Sequence, residues 1–396
     1  MDSLSDRTRL IAGATRRGAG RRGVNPPIER ASTMLSDRIA DMRNASLGPT
    51  YGLNAGSAMD ALREALADLE GGVGAALTCS GLAAVTVPVM ALTRPGDEVL
   101  ASDAVYGPTR RFLSRWMTAR GVTVRYHPPE ATAQQVAAMV SERTRLILIE
   151  SPASLTFEMI DVAALVQALR SRSQGDRRLM TLMDNTWGAG LAFKPLAHGV
   201  DVSVQAVTKY VSGHSDVLMG SIVVADDAVG RTIDETIEDL GWHVTADDAW
   251  LALRGLRTMP LRMTEQARSG LRVAQWLQAR PEVSRVLHPV LPGDPGHALW
   301  TRDYTGAASL FGVVMKGGDG AAVEAFLDSL TLFGLGWSWG GYESLATHDT
   351  DQMAFREVPP TLEGELLRFH VGLEDPADLI ADLEIGLAAW RAALPA

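Results

Sequence analysis

Apolar residues recur at helical spacing over residues 57–70, where Met59, Leu62, Leu66 and Leu69 share one face and Gly71-Gly72 ends the run. A short apolar run closing at Thr78, a Cys79-Ser80-Gly81 turn and an apolar helix over about 82–92 follow. The pattern then alternates. Val99–Ser102, Thr123–Tyr126, Leu146–Glu150, Leu182–Asp184 and Val202–Val207 read as short buried strands, separated by helical spacing over 108–119, 131–141 and 161–172. Such alternation predicts βαβ units and a mostly parallel sheet covered on both faces, an α/β fold. Ligands of such sheets sit beyond the carboxyl ends of the strands, so residues directly following a strand carry the functional interest. After about residue 250 the order changes to strands at 309–315 and 366–371 and helices at 320–330 and 376–392. The expected organisation is an arm (1–55), a large domain (56–250) and a smaller α+β domain (251–396). A long helix near 240–270 would join the last two.

Composition narrows the class. A chain of 396 residues exceeds one simple core, and 46% apolar with 21% charged residues is ordinary for a soluble globular protein. A formal charge of −10 speaks against a nucleic-acid surface. No apolar stretch is long enough for a membrane span. The single cysteine, Cys79, excludes an intramolecular disulfide framework and suits a reducing cytoplasm. Arg7, Arg9, Arg16, Arg17, Arg21 and Arg22, interspersed with Asp2 and Asp6, read as a polar arm able to lie on a neighbouring subunit rather than as a transit peptide. The scattered histidines show no ligand spacing, so no catalytic metal is expected. A nicotinamide dehydrogenase is set aside for want of a Gly-x-Gly-x-x-Gly turn.

Candidate chemistry falls at strand ends. Ser80-Gly81-Leu82 joins a strand to a helix start, whose free N–H groups suit a phosphate, although such turns are often merely steric. Asp184 ends a buried strand. There it either caps the next turn or pairs with a cation such as a protonated ring nitrogen. Lys209 closes the run Val202–Thr208, an unusual place for a lysine. Burial lowers an amine's pKa, and the neutral amine can form a Schiff base or abstract a proton. Thr208 sets a hydroxyl beside it. Tyr106 is placed to stack on an aromatic ring or simply to be half-buried. Arg368 interrupts the apolar strand Leu366–His370 and needs an anion, either a substrate carboxylate or an internal partner. The segment Ser338-Trp339-Gly340-Gly341-Tyr342-Glu343-Ser344-Leu345 either lines a pocket or turns tightly.

Together these segments resemble the Cys/Met-metabolism family of PLP-dependent enzymes nearly end to end. The likeness includes Val24–Ser32, Leu69-Glu70-Gly71-Gly72, Leu148-Ile149-Glu150-Ser151-Pro152, Asp184-Asn185-Thr186-Trp187 and Gln205-Ala206-Val207-Thr208-Lys209-Tyr210. Gly213-His214-Ser215-Asp216 and Gly372-Leu373-Glu374-Asp375 extend it. The Ser338–Leu345 segment favours the β-lyase branch over γ-lyases and γ-synthases. The resemblance implies an aspartate-aminotransferase-like (fold type I) structure and pyridoxal 5'-phosphate bound covalently at Lys209. It further implies Asp184 on the pyridinium nitrogen, with Thr186 in the same motif, and Tyr106 on the ring. Ser80, Gly81, Leu82 and Thr208 would hold the phosphate, and Arg368, Ser338 and Trp339 the substrate carboxylate. Tyr51 would reach into a neighbouring subunit of a dimer of dimers. The implied reaction is β-elimination on cystathionine or a related cysteine S-conjugate, releasing a thiol, pyruvate and ammonia. A γ-lyase, a γ-synthase and a non-catalytic PLP-binding regulator are the rivals.

Three positions depart from the family pattern. Leu53 replaces a phosphate-binding arginine after Tyr51-Gly52, and Ala206 replaces a serine that donates to the phosphate. Arg111 stands where an acidic residue would greet cystathionine's distal ammonium, and favours an anionic or neutral arm instead.

Overall fold

Residues 57–70 form the helix that their spacing predicts, α1 (Ser57–Glu70), closed by Gly71 at φ 75°, a left-handed conformation in which glycine has no Cβ penalty. The computed structural model describes residues 4–12, 23–54, 56–170, 172 and 178–394; Asp2, Arg16, Arg17, Arg21 and Arg22 of the charged arm lie outside them. Seven strands follow in one sheet: β1 (Gly74–Thr78), β2 (Glu98–Ser102), β3 (Thr123–His127), β4 (Thr144–Glu150), β5 (Met180–Asp184), β6 (Val202–Ala206) and β7 (Gly220–Val224). Their order is β1-β7-β6-β5-β4-β2-β3. Only β7 runs antiparallel to its neighbours. The central strands are buried on both faces, which is why they read as near-continuous apolar runs. Around them lie α2 (Gly81–Leu92), α3 (Val162–Arg170) and α4 (Asp227–Leu240). The helical spacing over 108–119 is realised as a helix over Gly107–Arg111 that widens into a π turn at Phe112–Met117.

The 33-residue helix α5 (Ala246–Gln278) spans the expected boundary. Its first half (Ala249, Leu253, Leu256, Met259) packs in the core beside the large sheet, and its last turns (Val273, Leu277) in the core of a second sheet. That sheet contains β8 (Val283–Leu287), β9 (Leu310–Met315), β10 (Gly334–Leu335), β11 (Leu345–His348) and β12 (Glu365–His370) in the order β10-β11-β12-β9-β8. The helices α6 (Gly320–Asp328) and α7 (Pro376–Ala393) pack with it around Phe311, Phe326, Phe369 and Trp390. No helix of the described residues is long and apolar enough to cross a membrane.

A buried polar knot holds α1 against the strands that present the site. Glu70, 1% exposed, accepts hydrogen bonds from Gln205 Nε2 (2.9 Å), Asn185 Nδ2 (3.3 Å) and Ser203 Oγ. Removing the carboxylate strands these donors away from water, each at a cost of about 1–3 kcal/mol. Glu70→Ala is therefore expected to lower the melting temperature by roughly 5 °C or more, for a ΔΔG of at least about 2 kcal/mol. Differential scanning calorimetry checks this; an unchanged transition would show that the knot contributes nothing.

Candidate active site

The carboxyl ends of β4, β5 and β6 open on a cavity of ≈ 290 Å³. Glu150 and Asp184 are the last residues of β4 and β5, and Lys209 follows β6 in a turn closed by its N–H bonding Ala206 O at 3.0 Å. Sequence order thus becomes proximity: all three line the same space.

Lys209 Nζ donates to Ser338 Oγ at 2.6 Å and lies 5.4 Å from the Trp339 ring centre. Burial, then the Arg368 cation, pull its pKa down to about 8, against the opposing pull of Asp184. At pH 7 roughly a tenth of such amines are neutral, against fewer than one in a thousand for an ordinary lysine. Ser338 is held at φ 104°, a costly conformation for a residue with a side chain. Gly340 explains the tightness of this loop. A Cβ there would come within 2.8 Å of the Lys209 carbonyl carbon, so only glycine lets the two segments meet. The Gly340 N–H is received by His370 Nε2 (3.1 Å), a buried and therefore neutral imidazole.

Asp184 Oδ1 accepts from Thr186 N (3.0 Å) and Thr186 Oγ1 (2.6 Å), and the residue lines the cavity. Burial nonetheless pushes its pKa up. The Thr186 hydroxyl also accepts from Ala206 N (2.9 Å), so Thr186 braces the ends of β5 and β6 as well as bordering the cavity. Arg368 meets Asp349 at 3.6 Å through Nε. The internal partner is thus present, and Arg368 also lines the cavity.

At the other end of the cavity, α2 begins. Ser80 Oγ caps it by accepting from Ala83 N (3.1 Å), while the amides of Gly81 and Leu82 have no carbonyl within the helix to bond. A Cβ on Gly81 would lie 2.4 Å from that of Ala206, so the helix start and strand end touch. Thr208 Oγ1 donates to Met219 O (3.1 Å) and accepts from Met219 N (3.0 Å), which fixes it at the wall.

Tyr106, Ser80, Gly81, Leu82, Thr208, Ser338, Trp339 and Arg368 all line this cavity. Arg111 and Tyr51 do not. Arg111 lies exposed on the helix after Tyr106, near enough for its charge to act on that phenol. Tyr51 is 61% exposed, bridged to Thr33 in the arm, and Leu53 is likewise absent from the cavity of its own chain. Glu150 was legible by the rule that singled out Asp184, a carboxylate closing a buried strand. Gln352 carried no such signal, because it reaches the cavity from a short 3-10 helix (Thr350–Phe355) far along the chain.

This donor set fits pyridoxal phosphate. Free helix-start amides suit the phosphate, a carboxylate oxygen suits a protonated ring nitrogen, and a partly neutral lysine between them suits the aldehyde carbon. Fold and site together define a fold type I enzyme. The chain belongs to the Cys/Met metabolism family of PLP-dependent enzymes, whose pattern it matches over residues 7–388. It is 43% identical over 368 residues to the cystathionine beta-lyase of Bordetella avium, covering 91% of each chain. Against that of Escherichia coli K12 it is 38% identical over 374 residues, covering 92% of this chain and 93% of the other. Among solved structures, a cystathionine gamma synthase from Xanthomonas oryzae pv. oryzae in complex with cystathionine superposes with a TM-score of 0.89. That pair shares 29% identity and covers 99% of this chain and 100% of the other.

Proposed function

We propose that the protein is a carbon–sulfur lyase that performs β-elimination on cystathionine or a related cysteine S-conjugate, giving a thiol, pyruvate and ammonia. The observation that carries it is the Lys209 amine, held by Ser338 between Asp184 and Arg368 in one cavity. Arg368 binds the substrate α-carboxylate, its guanidinium oriented by Asp349. Lys209 takes the proton from Cα; its lowered pKa makes the neutral base available at physiological pH. Pyridoxal phosphate, when bound, supplies the electron sink for the charge left at Cα. Asp184 would keep the ring nitrogen protonated, its carboxylate oriented by Thr186. Tyr106 would stack on the ring, Gly81, Leu82 and Thr208 would hold the phosphate, and Ser338 and Trp339 would border the substrate.

The arm (1–55) serves a second copy of the chain, beside a PLP-binding domain (56–250) and a smaller domain (251–396), in the cytoplasm. Leu35, 94% exposed, and Ile39, Met42, Leu47 and Tyr51 form an apolar stretch of the arm of the kind that marks an interface. Tyr51 then enters the partner's site, in a dimer or a dimer of dimers. Product analysis separates the rivals: pyruvate from cystathionine supports β-elimination, and 2-oxobutyrate overturns it in favour of a γ-lyase. Absence of turnover on every S-conjugate would point to a regulator. Exposed Arg111 disfavours an ammonium at the far end of the substrate. Arg111→Asp is expected to raise kcat/KM for cystathionine about three- to tenfold relative to a conjugate with a neutral arm. An unchanged ratio would place Arg111 outside specificity.

A further inference from the structure

Glu150 has no place in the chemistry above, yet it borders the cofactor cavity and stands directly opposite Asp184 in the β4–β5 register. Neighbouring strands lie about 4.8 Å apart, and opposed residues point to the same side. Two carboxyls therefore share one enclosed space. Their supplies of donors differ. Asp184 receives the Thr186 amide and hydroxyl and feels the Lys209 cation. Glu150 receives one amide, the Tyr106 N–H, at 2.8 Å on Oε2. Arg356, whose charge acts on Glu150, is engaged with Glu158 (3.5 Å), Ser154 O (3.1 Å) and the Thr156 hydroxyl. Two carboxylates on neighbouring strands in one cavity do not both ionise cheaply, and the proton settles on the one with fewer donors. Burial and the Asp184 charge both push Glu150 in that direction.

Behind Glu150 lies a second, water-sized void of ≈ 10 Å³, lined also by Ser102, His127 and Glu158. His127 is itself held towards neutrality by burial. The groups facing Glu150 are thus Asp184, the Tyr106 backbone and phenol, Arg356, His127 and Glu158. None offers it a free positive charge.

We infer that Glu150 and Asp184 act as a pair sharing one proton, with Glu150 as a neutral acid and positioning residue. Glu150 anchors the Tyr106 backbone and leaves Asp184 as the single anionic partner for the cofactor ring. Glutamine is its nearest mimic, since the side-chain oxygen still accepts the Tyr106 N–H and no charge is carried. Infrared spectra of the holoenzyme near neutral pH test this directly. The wild type should show a carboxylic-acid C=O band that Glu150→Gln removes and Glu150→Asp moves to another frequency. Turnover of Glu150→Gln should stay within about threefold of wild type, while Glu150→Leu, which loses the Tyr106 acceptor, should fall about tenfold or more. If Glu150→Leu does not fold, the infrared comparison still decides. Spectra of wild type and Glu150→Gln with no difference in that band would overturn the inference. So would a Glu150→Gln enzyme as impaired as Glu150→Leu.

Discussion

Lys209→Ala is expected to lower kcat for pyruvate release by at least about 10³-fold, because one side chain supplies both the covalent anchor and the base at Cα. The fold should tolerate the change. Lys209 borders a cavity, and its one side-chain hydrogen bond among the described residues, to Ser338, satisfies a hydroxyl that stays next to that cavity. Removing the amine also takes a cation away from Arg368, whose own pKa is lowered by burial. Melting temperature should therefore be unchanged or slightly raised. Steady-state pyruvate assays with parallel calorimetry separate lost chemistry from lost structure; an active Lys209→Ala enzyme would end the assignment.

Arg368→Leu is the second large effect. A charge-assisted pair with the substrate carboxylate is worth about 3 kcal/mol, so kcat/KM should drop by roughly 10²-fold. The loss should fall mainly on KM, because Arg368 binds the ground state and the transition state alike. Asp349 complicates the reading in a useful way. It is 1% exposed and would lose its only cationic partner among the described residues, although Thr347, Gln352 and its own backbone continue to hold it. If Arg368 served Asp349 alone, stability would fall and kcat/KM would stay put. Measuring both quantities on one preparation distinguishes the two roles.

The large sheet was legible because its central strands are buried on both faces, and β4 and β5 end in a carboxylate. Leu182-Met183-Asp184 carries that mark and β5 bears it out, whereas the run expected over 202–207 is a strand only to Ala206, with Lys209 in the turn that follows. Strand β7 was missed: its Gly220-Ser221 start lacks the usual β formers, and Gly220 is dictated by α2, since a Cβ would meet Ser80 O at 2.4 Å. Strands β8, β10 and β11 were missed as well. Leu345-Ala346-Thr347-His348 has too little apolar side chain to register alone, and becomes a strand by pairing with β12. Within the site, the chemical groups at strand ends could be read from the sequence. Contacts made across long separations could not. The Lys209–Ser338 bond joins segments 129 residues apart, and neither the left-handed backbone of Ser338 nor the Asp349 contact of Arg368 leaves a local pattern. Of the three positions expected to depart from the family pattern, Ala206 lines the cavity, while Arg111 and Leu53 lie outside the cavity of a single chain.

The covalent role of Lys209 is tested most directly by treating purified enzyme, supplied with pyridoxal phosphate, with borohydride, which reduces a carbon–nitrogen double bond to a stable amine. Peptide mass spectrometry should then find the cofactor's added mass on the peptide bearing Lys209, with the visible absorption band lost on reduction and absent from Lys209→Ala. A label on another lysine, or none while the wild type turns over, would contradict the assignment of Lys209.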